Sequence, residues 1–377
     1  SDGQCKLRIS KLQSCDTISG VTGLKLTYPQ LALPIGLSFY TFKNLSYILD
    51  IYMGKTEPCK GFFPYAVYST MFPHMTAGPI VRYTDISESI SRRSINTTRL
   101  GAGAELFIKG LSKKVLLADN LSALYTTLQA SGTTSFVGTW LAIGAYTLEL
   151  YFDFSGYSDM AIGLGQMLGF NFNKNFDYPY ISTSVSEFWR RWHISLGSWF
   201  RDYIYIPLGG NRVSTGRHIR NILVVWALTG LWHGASWNFV FWGVYYGHLL
   251  LAEKFLLGRF LEKAPVWLRN LYTMFAVIIG WVFFSQTTPA AIGKMLGAMF
   301  GLGASCFADR ASLYALKSGL ILMIISVISC RPGLYQYFKR LARRNTYLAA
   351  VINAILFFLC IAYMIYSSYT PFMYQQF

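Results

Sequence analysis

The stretch NILVVWALTGLWHGASWNFVFWGVYYGHLL, residues 221–250, is apolar throughout but is broken by Gly230, Gly234 and Gly243. Arg190, Arg191, Arg201, Arg212, Arg217 and Arg220 precede it, and Lys254, Arg259, Lys263 and Arg269 follow it. Short segments rich in Lys and Arg stay on the cytoplasmic side of a bilayer, so with both flanks inside the stretch is no simple crossing. The chain is expected to enter, break near residues 230–236 and return. His233 then lies at membrane depth, where non-helical backbone is tolerated only if protein or a water-filled cavity surrounds it.

The rest of the chain supports that setting. Apolar stretches at residues 31–53, 62–81, 136–152, 271–285, 313–328 and 347–369 reach or approach the roughly 20 residues that a membrane helix needs. The basic loop with Lys254 to Arg269 and the one with Arg331, Lys339, Arg340, Arg343 and Arg344 should both be inside. Between them, residues 286–312 carry only Lys294 and Arg310, so the flanking helices run out and back and the last leaves Phe377 outside. Residues 290–302 read as a helix along the outer interface, and residues 189–220, Arg among Trp and Tyr, as an amphipathic segment at the inner one.

Composition agrees. Of 377 residues 53% are hydrophobic, 17% aromatic and 13% charged, where soluble domains carry about 25% charged residues. The fold class is therefore an all-α integral membrane protein, with residues 1–28 a polar leader at a truncated start and 29–377 one membrane-embedded domain. A net charge of +16 raises nucleic acid as a partner, but the Lys and Arg sit between apolar segments, so none is expected. They mark the cytoplasmic side and attract anionic lipid or an acidic cytoplasmic partner. Six scattered cysteines, without a paired spacing, give neither a metal site nor a disulfide framework. No internal repeat of fixed period is present.

His233 is the first candidate for chemistry, since an imidazole kept neutral by apolar surroundings can accept a proton. His193 is the second, within Phe188-Trp189-Arg190-Arg191-Trp192-His193-Ile194-Ser195. Guanidinium groups flanked by indoles suit a phosphate or the adenine of a nucleotide cofactor, and suit an interface anchor equally well. Glu149, Asp153 and Asp159 lie in an apolar stretch with Ser155, and are expected to pair with Arg or to line a polar cavity. His74, in a segment broken by Pro73, Gly78 and Pro79, reads as a packed kink. Leu208-Gly209-Gly210-Asn211 is a turn and not a phosphate loop, and His218 and His248 read as interface residues. There is no Gly-x-Ser-x-Gly elbow for a serine hydrolase.

Two passages carry a resemblance. One runs from Tyr151-Phe152-Asp153-Phe154-Ser155-Gly156-Tyr157-Ser158 through Ser186-Glu187-Phe188-Trp189-Arg190-Arg191-Trp192-His193-Ile194-Ser195-Leu196 to Arg201-Asp202-Tyr203-Ile204-Tyr205-Ile206-Pro207-Leu208-Gly209-Gly210-Asn211. The other is Gly230-Leu231-Trp232-His233-Gly234-Ala235-Ser236-Trp237-Asn238. They resemble the membrane-bound O-acyltransferase family, in its bacterial branch of alginate O-acetylation and teichoic-acid D-alanylation proteins. Weaker likeness runs from Leu33 to the terminal Pro371-Phe372-Met373-Tyr374, with Gln375 and Gln376 departing from the branch.

The resemblance implies a multi-helix ring around a central tunnel, with re-entrant and interfacial helices, and further helices before the counterpart of Leu33. It makes His233 the catalytic histidine and His193 the second signature position. Trp189, Arg190, Arg191, Trp192, Ser195, Trp232, Asn238, Asp153 and Ser155 become donor-binding or tunnel-lining candidates, with no metal. No cofactor is held tightly; the acyl donor is acetyl-CoA or an acyl-carrier thioester on the cytoplasmic side. The group is expected to be acetyl and the acceptor an exopolysaccharide or cell-wall polymer, reached with an extracytoplasmic acetyltransferase partner. The location is the bacterial cell membrane, crossed several times. The rival reading is a transporter or flippase with Glu149, Asp153 and Asp159 as its charged pathway.

Overall fold

A computed structural model describes residues 36–366, apart from Thr133 and Ala235, and every regular element among the described residues is helical. The polar leader and the end of the last apolar stretch fall outside that range. The first half gives α1 (Leu37–Tyr52), α2 (Phe62–Thr70), α3 (Tyr83–Ser91), α4 (Thr97–Ser112), α5 (Asp119–Ala130) and α6 (Phe136–Met167). The centre holds α7 (Val185–Arg191), α8 (Ile194–Phe200), α9 (Thr215–His233), α10 (Trp237–Ala252) and α11 (Gly258–Lys263). The last third holds α12 (Val266–Ser285), α13 (Pro289–Met299), α14 (Arg310–Ser329), α15 (Pro332–Arg344) and α16 (Thr346–Tyr366). Of these, α12, α14 and α16 are long and apolar enough to cross a membrane.

The axis of the fold is α6, 32 residues and so about 48 Å at 1.5 Å per residue. Against it lies a second long rod, α4 continued through the π-helical turn Lys113–Ala118 into α5. Glycine lets the two backbones touch. A Cβ on Gly110 would stand 2.5 Å from the Gly156 carbonyl oxygen, and one on Gly103 would stand 2.6 Å from that of Gly163. Gly103 and Gly110 are seven residues apart, as are Gly156 and Gly163, so the contacts repeat every two turns along an antiparallel seam.

Charge locks the same seam. Lys114 pairs with Asp153 at 2.7 Å and with Asp119 at 2.8 Å, while Asp159 takes Lys113 at 2.8 Å and Lys109 at 3.1 Å. The partners of Asp153 and Asp159 are thus lysines of the neighbouring helix and not the expected arginines, while Glu149 is buried in α6 without an ion pair among the described residues. This pairing also explains why residues 97–130 gave no apolar signal. Their three lysines are met by aspartates of α6 that lie well downstream in the chain.

Other expectations change in detail. Residues 62–81 are not one helix: α2 ends at Thr70, and a 3-10 turn, Phe72–His74, leads into extended chain, because Pro73 and Pro79 remove backbone donors. The stretch beginning at Phe136 runs on to Met167, well beyond residue 152. The basic loop after α14 is itself a helix, α15. The segment at 290–302 forms α13, with Ile292, Met295, Ala298 and Met299 buried and the Trp140 indole donating to the Met299 carbonyl at 2.9 Å. One face of α13 is therefore docked on protein. Residues 189–220 do not lie on the surface as a single amphipathic piece. Phe188, Trp192, Leu196, Trp199 and Phe200 are all buried in the main core.

The hairpin at residues 221–250 forms as expected. Helix α9 ends at His233, α10 begins at Trp237, and the two lie close enough that a Cβ on Gly230 would be 2.5 Å from the Phe239 carbonyl and one on Gly243 2.5 Å from that of Trp226.

Gly110→Val should separate α4 from α6 and cost ~1–3 kcal/mol, the usual penalty of overpacking, read as a lower melting temperature in detergent. Gly101→Ala, where a Cβ meets nothing within 4 Å, should hold or raise that temperature, since alanine stabilises an exposed helix position by ~0.5–1 kcal/mol over glycine.

Candidate active site

Helix α7 begins under a double clamp. The Ser184 hydroxyl accepts from the Glu187 N–H at 3.0 Å, while the buried Glu253 carboxylate, reaching across from the end of α10, accepts from the Val185 N–H at 2.5 Å and the Ser186 N–H at 2.9 Å. Those N–H groups are the unpaired donors of a helix start, and an anion there also meets the positive end of the helix dipole. Glu187 in turn accepts from the Thr183 N–H at 2.8 Å and hydroxyl at 2.9 Å, and pairs with Arg191 at 2.8 Å. Partial burial pushes the Glu187 carboxyl up, but the Thr183 donors and the Arg191 guanidinium outweigh it and hold it below the usual range.

The chain then turns sharply. His193 sits in the left-handed region, φ 44° and ψ 54°, a conformation that costs a non-glycine residue ~1–2 kcal/mol. Asn175 holds it there. Its backbone carbonyl accepts from the Ile194 N–H at 2.9 Å, and its Oδ1 lies 3.1 Å from the Ser195 N–H donor, 2.9 Å from the Ser195 hydroxyl and 3.2 Å from His193 Nδ1. The Ser195 N–H can only donate and so fixes the amide orientation, and Asn175 Nδ2 donates to the Ser158 hydroxyl at 3.0 Å. Facing an oxygen, His193 Nδ1 carries the proton, so Nε2 is the acceptor of the ring.

His233 closes α9. Its ring meets Trp242 edge to face with centroids 5.0 Å apart, Phe284 at 5.1 Å and Trp232 at 4.7 Å. Both imidazoles line one cavity of about 510 Å³, with Trp189, Trp192 and Trp281 in its wall and Arg190 and Arg201 also bordering it. That volume lies within the ~300–1,000 Å³ usual for small-molecule sites.

Five of the sequence candidates therefore meet: His233, His193, Trp189, Arg190 and Trp192. Six others lie outside the cavity wall. Arg191 turns to Glu187 and Asp177; Ser195 bonds Asn175; Trp232 packs on Phe39 and Phe42 behind the imidazoles. Asn238 accepts from the Ser236 hydroxyl and donates to the Phe283 carbonyl at 3.3 Å, tying the hairpin to α12. Asp153 pairs with Lys114, and Ser155 accepts from Lys113 at 3.2 Å. His74 is buried elsewhere, 3.0 Å from the Lys43 ammonium and edge-on to Phe172. His218 is buried and bonded to the Tyr205 hydroxyl at 2.9 Å, whereas His248 is exposed. The turn at residues 208–211 is closed by Asn221, which donates to the Leu208 and Gly210 carbonyls. Among the described residues no three His, Cys, Asp or Glu side chains converge to hold a metal ion.

A model of the membrane-bound O-acyltransferase family matches residues 60–292, more than half of the chain and inclusive of both cavity histidines. The chain belongs to the membrane-bound O-acyltransferase family. It is 41% identical, over 88% of its length, to the probable alginate O-acetylase AlgI of Azotobacter vinelandii, 66% of which is covered. It is 33% identical over 72% of its length to the peptidoglycan O-acetyltransferase of Helicobacter pylori, covering 58% of that protein. A teichoic acid D-alanyltransferase of Bacillus subtilis is 26% identical over 66% of each chain. The chain thus spans just under two thirds of the length of the alginate relative.

Asn175, Glu253, Trp281 and Phe284 were not legible as site residues, because nothing in their neighbourhoods marks them. Asn175→Ala would leave the buried Ser195 N–H without its acceptor, and should cost ~1–3 kcal/mol, seen as a lower melting temperature. For Glu187 the sign follows from its depressed pKa. Its contribution to stability is complete above the ordinary glutamate value of about 4.3 and fades as pH falls through the folded-state value. The gap in melting temperature between wild type and Glu187→Gln should therefore close on acidification from pH 7 to pH 3.

Proposed function

We propose that this membrane protein is an O-acyltransferase that moves an acyl group, acetyl in our reading, from a cytoplasmic thioester toward hydroxyls of an extracytoplasmic polysaccharide or cell-wall polymer. The observation that carries this reading is the meeting of His193 and His233 in one aromatic-walled cavity bordered by Arg190 and Arg201. The relatives named as alginate O-acetylase and peptidoglycan O-acetyltransferase support sugar hydroxyls as the acceptor class.

In the proposed step His233 takes the proton of an acceptor hydroxyl as its oxygen attacks the thioester carbonyl. The C–O bond forms, the C–S bond breaks, and the proton leaves with the thiolate. An ordinary thiol has a pKa of about 8.5, so its departure needs no strong acid partner. His193, anchored through Nδ1, orients donor or acceptor at Nε2. Arg190 and Arg201 meet the phosphates of coenzyme A or of a carrier-bound pantetheine arm, as guanidinium forks do. Helix α9 is 19 residues long, about 28 Å, so its tip stands far from the basic segment where it begins. In our reading the thioester enters from that basic, cytoplasmic side, and the acceptor arrives past Phe284, next to the outer end of α12. A helical ring around a tunnel, several crossings of the bacterial cell membrane and an extracytoplasmic acetyltransferase partner complete this proposal. Of the three acids of the transporter alternative, Asp153 and Asp159 are engaged by lysines of α4 and its π turn, which leaves only the buried Glu149 for a charged pathway.

The test is acetyl transfer by the purified full chain in nanodiscs, with acetyl-CoA or an acetylated carrier protein and an alginate oligomer. His233→Ala, melting like wild type, should be slower by about 10²- to 10⁴-fold, the usual contribution of a general base. A wild-type rate in that variant would overturn the assignment.

A further inference from the structure

Beneath α15 lies a second cavity, of about 290 Å³, remote from the histidines and mainly apolar. One wall is α15 itself. Leu334, Phe338 and Leu341, spaced i, i+4 and i+7 with Tyr335 and Ala342 beside them, all face it, while Lys339, Arg340, Arg343 and Arg344 occupy the opposite, exposed face. A helix of that pattern, joining two apolar helices each long enough to cross a bilayer, is suited to lie in the plane of one membrane face. Its apolar stripe rests over an opening and not on packed protein.

The rim of the opening is charged. Lys109, Lys113, Arg331 and Glu105 border it, and Asp159 sits between the two lysines. Each ammonium has three N–H donors; Asp159 takes one from each, and Ser155 takes a second from Lys113. Lys109 also lies 4.3 Å from the centre of the Tyr335 ring, which joins α4 to α15. Three cations against two carboxylates leave one net positive charge at the mouth of an apolar slot. That is the complement of one phosphodiester above a hydrocarbon chain.

We propose that this cavity binds an anionic glycerophospholipid of the cytoplasmic leaflet. The phosphate sits among Lys109, Lys113 and Arg331, and one acyl chain lies along Leu334, Phe338 and Leu341. Basic pockets between helices at the cytoplasmic face take anionic headgroups in this way. The volume, at the low end for a ligand site, accommodates one chain and leaves the other against the bilayer past the half-exposed Phe338. The occupant ties the amphipathic helix to the seam of α4 and α6, which it otherwise reaches through few side chains.

The full chain in detergent is titrated with phosphatidylglycerol or phosphatidylcholine, with melting temperature and lipid retained in native mass spectrometry as readouts. Phosphatidylglycerol should raise the melting temperature and be retained; phosphatidylcholine should do neither. Arg331→Gln should bind phosphatidylglycerol about fivefold more weakly, the ~1 kcal/mol that one basic side chain contributes near an anionic surface. Leu341→Trp, which fills the slot without touching the charges, should abolish retention while melting like lipid-free wild type. Equal effects of the two lipids, or wild-type retention in both variants, would overturn the proposal. A photoreactive phenylalanine at position 338 separates the remaining occupant: adducts to lipid support the site, and adducts to the chain's own terminal segments refute it.

Discussion

A backbone that leaves its helix inside hydrocarbon has no water to satisfy its polar groups, so protein must enclose it. From the sequence the turn between α9 and α10 is expected at such a depth, and the structure packs the His233 ring at that turn inside protein. Phe239, Trp242 and Phe284 pack around the His233 ring. Asn238 ties the start of α10 to the Phe283 carbonyl. Gly230 and Gly243 let α9 and α10 approach so closely that the bend stays narrow. The cavity that contains both imidazoles is the space left beside this enclosed bend.

A scaffold of helices holds α7 and α8 against that space. Glycine at four positions brings α4 and α6 into backbone contact, and lysine pairs neutralise the two aspartates on the same seam. From the far end of α6, the Ser158 hydroxyl accepts from the amide of Asn175, and Asn175 holds the left-handed His193. On the other side the Glu253 carboxylate, at the end of α10, caps α7. The two histidine motifs thus come from separate parts of the chain, the first tied by hydrogen bonds to α6 and the end of α10 and the second to α12. Membership of the acyltransferase family accords with this arrangement, since the matched span contains every residue of it.

Sequence reading succeeded where a local rule was enough and failed where the deciding partner was distant. Basic flanks and three glycines located the hairpin, because the rule about charge on either side of an apolar run is local. The 3-10 turn at Phe72–His74 and the chain break beyond it follow from Pro73 and Pro79, but only the structure showed that the break ends α2 at Thr70. The motif around residues 186–195 lies partly against the cavity. It did not distinguish Arg190, which borders the cavity, from Arg191, which turns away to Glu187.

What the sequence by itself determined is the solvent and the broad path of the chain: a membrane protein, helical, with a broken apolar hairpin carrying His233 at its tip. These depend on composition, on run length and on the sign of short loops, which are properties of neighbouring residues. What only the tertiary structure decided is which side chains share the cavity, and that residues 97–130 form a long helix in spite of their charges. A left-handed residue at His193 resets the phase between two short helices, so periodicity cannot carry facing directions across it. The lysines of α4 and its π turn are held in an apolar setting by carboxylates of α6, and that meeting is a fact of folding and not of spacing.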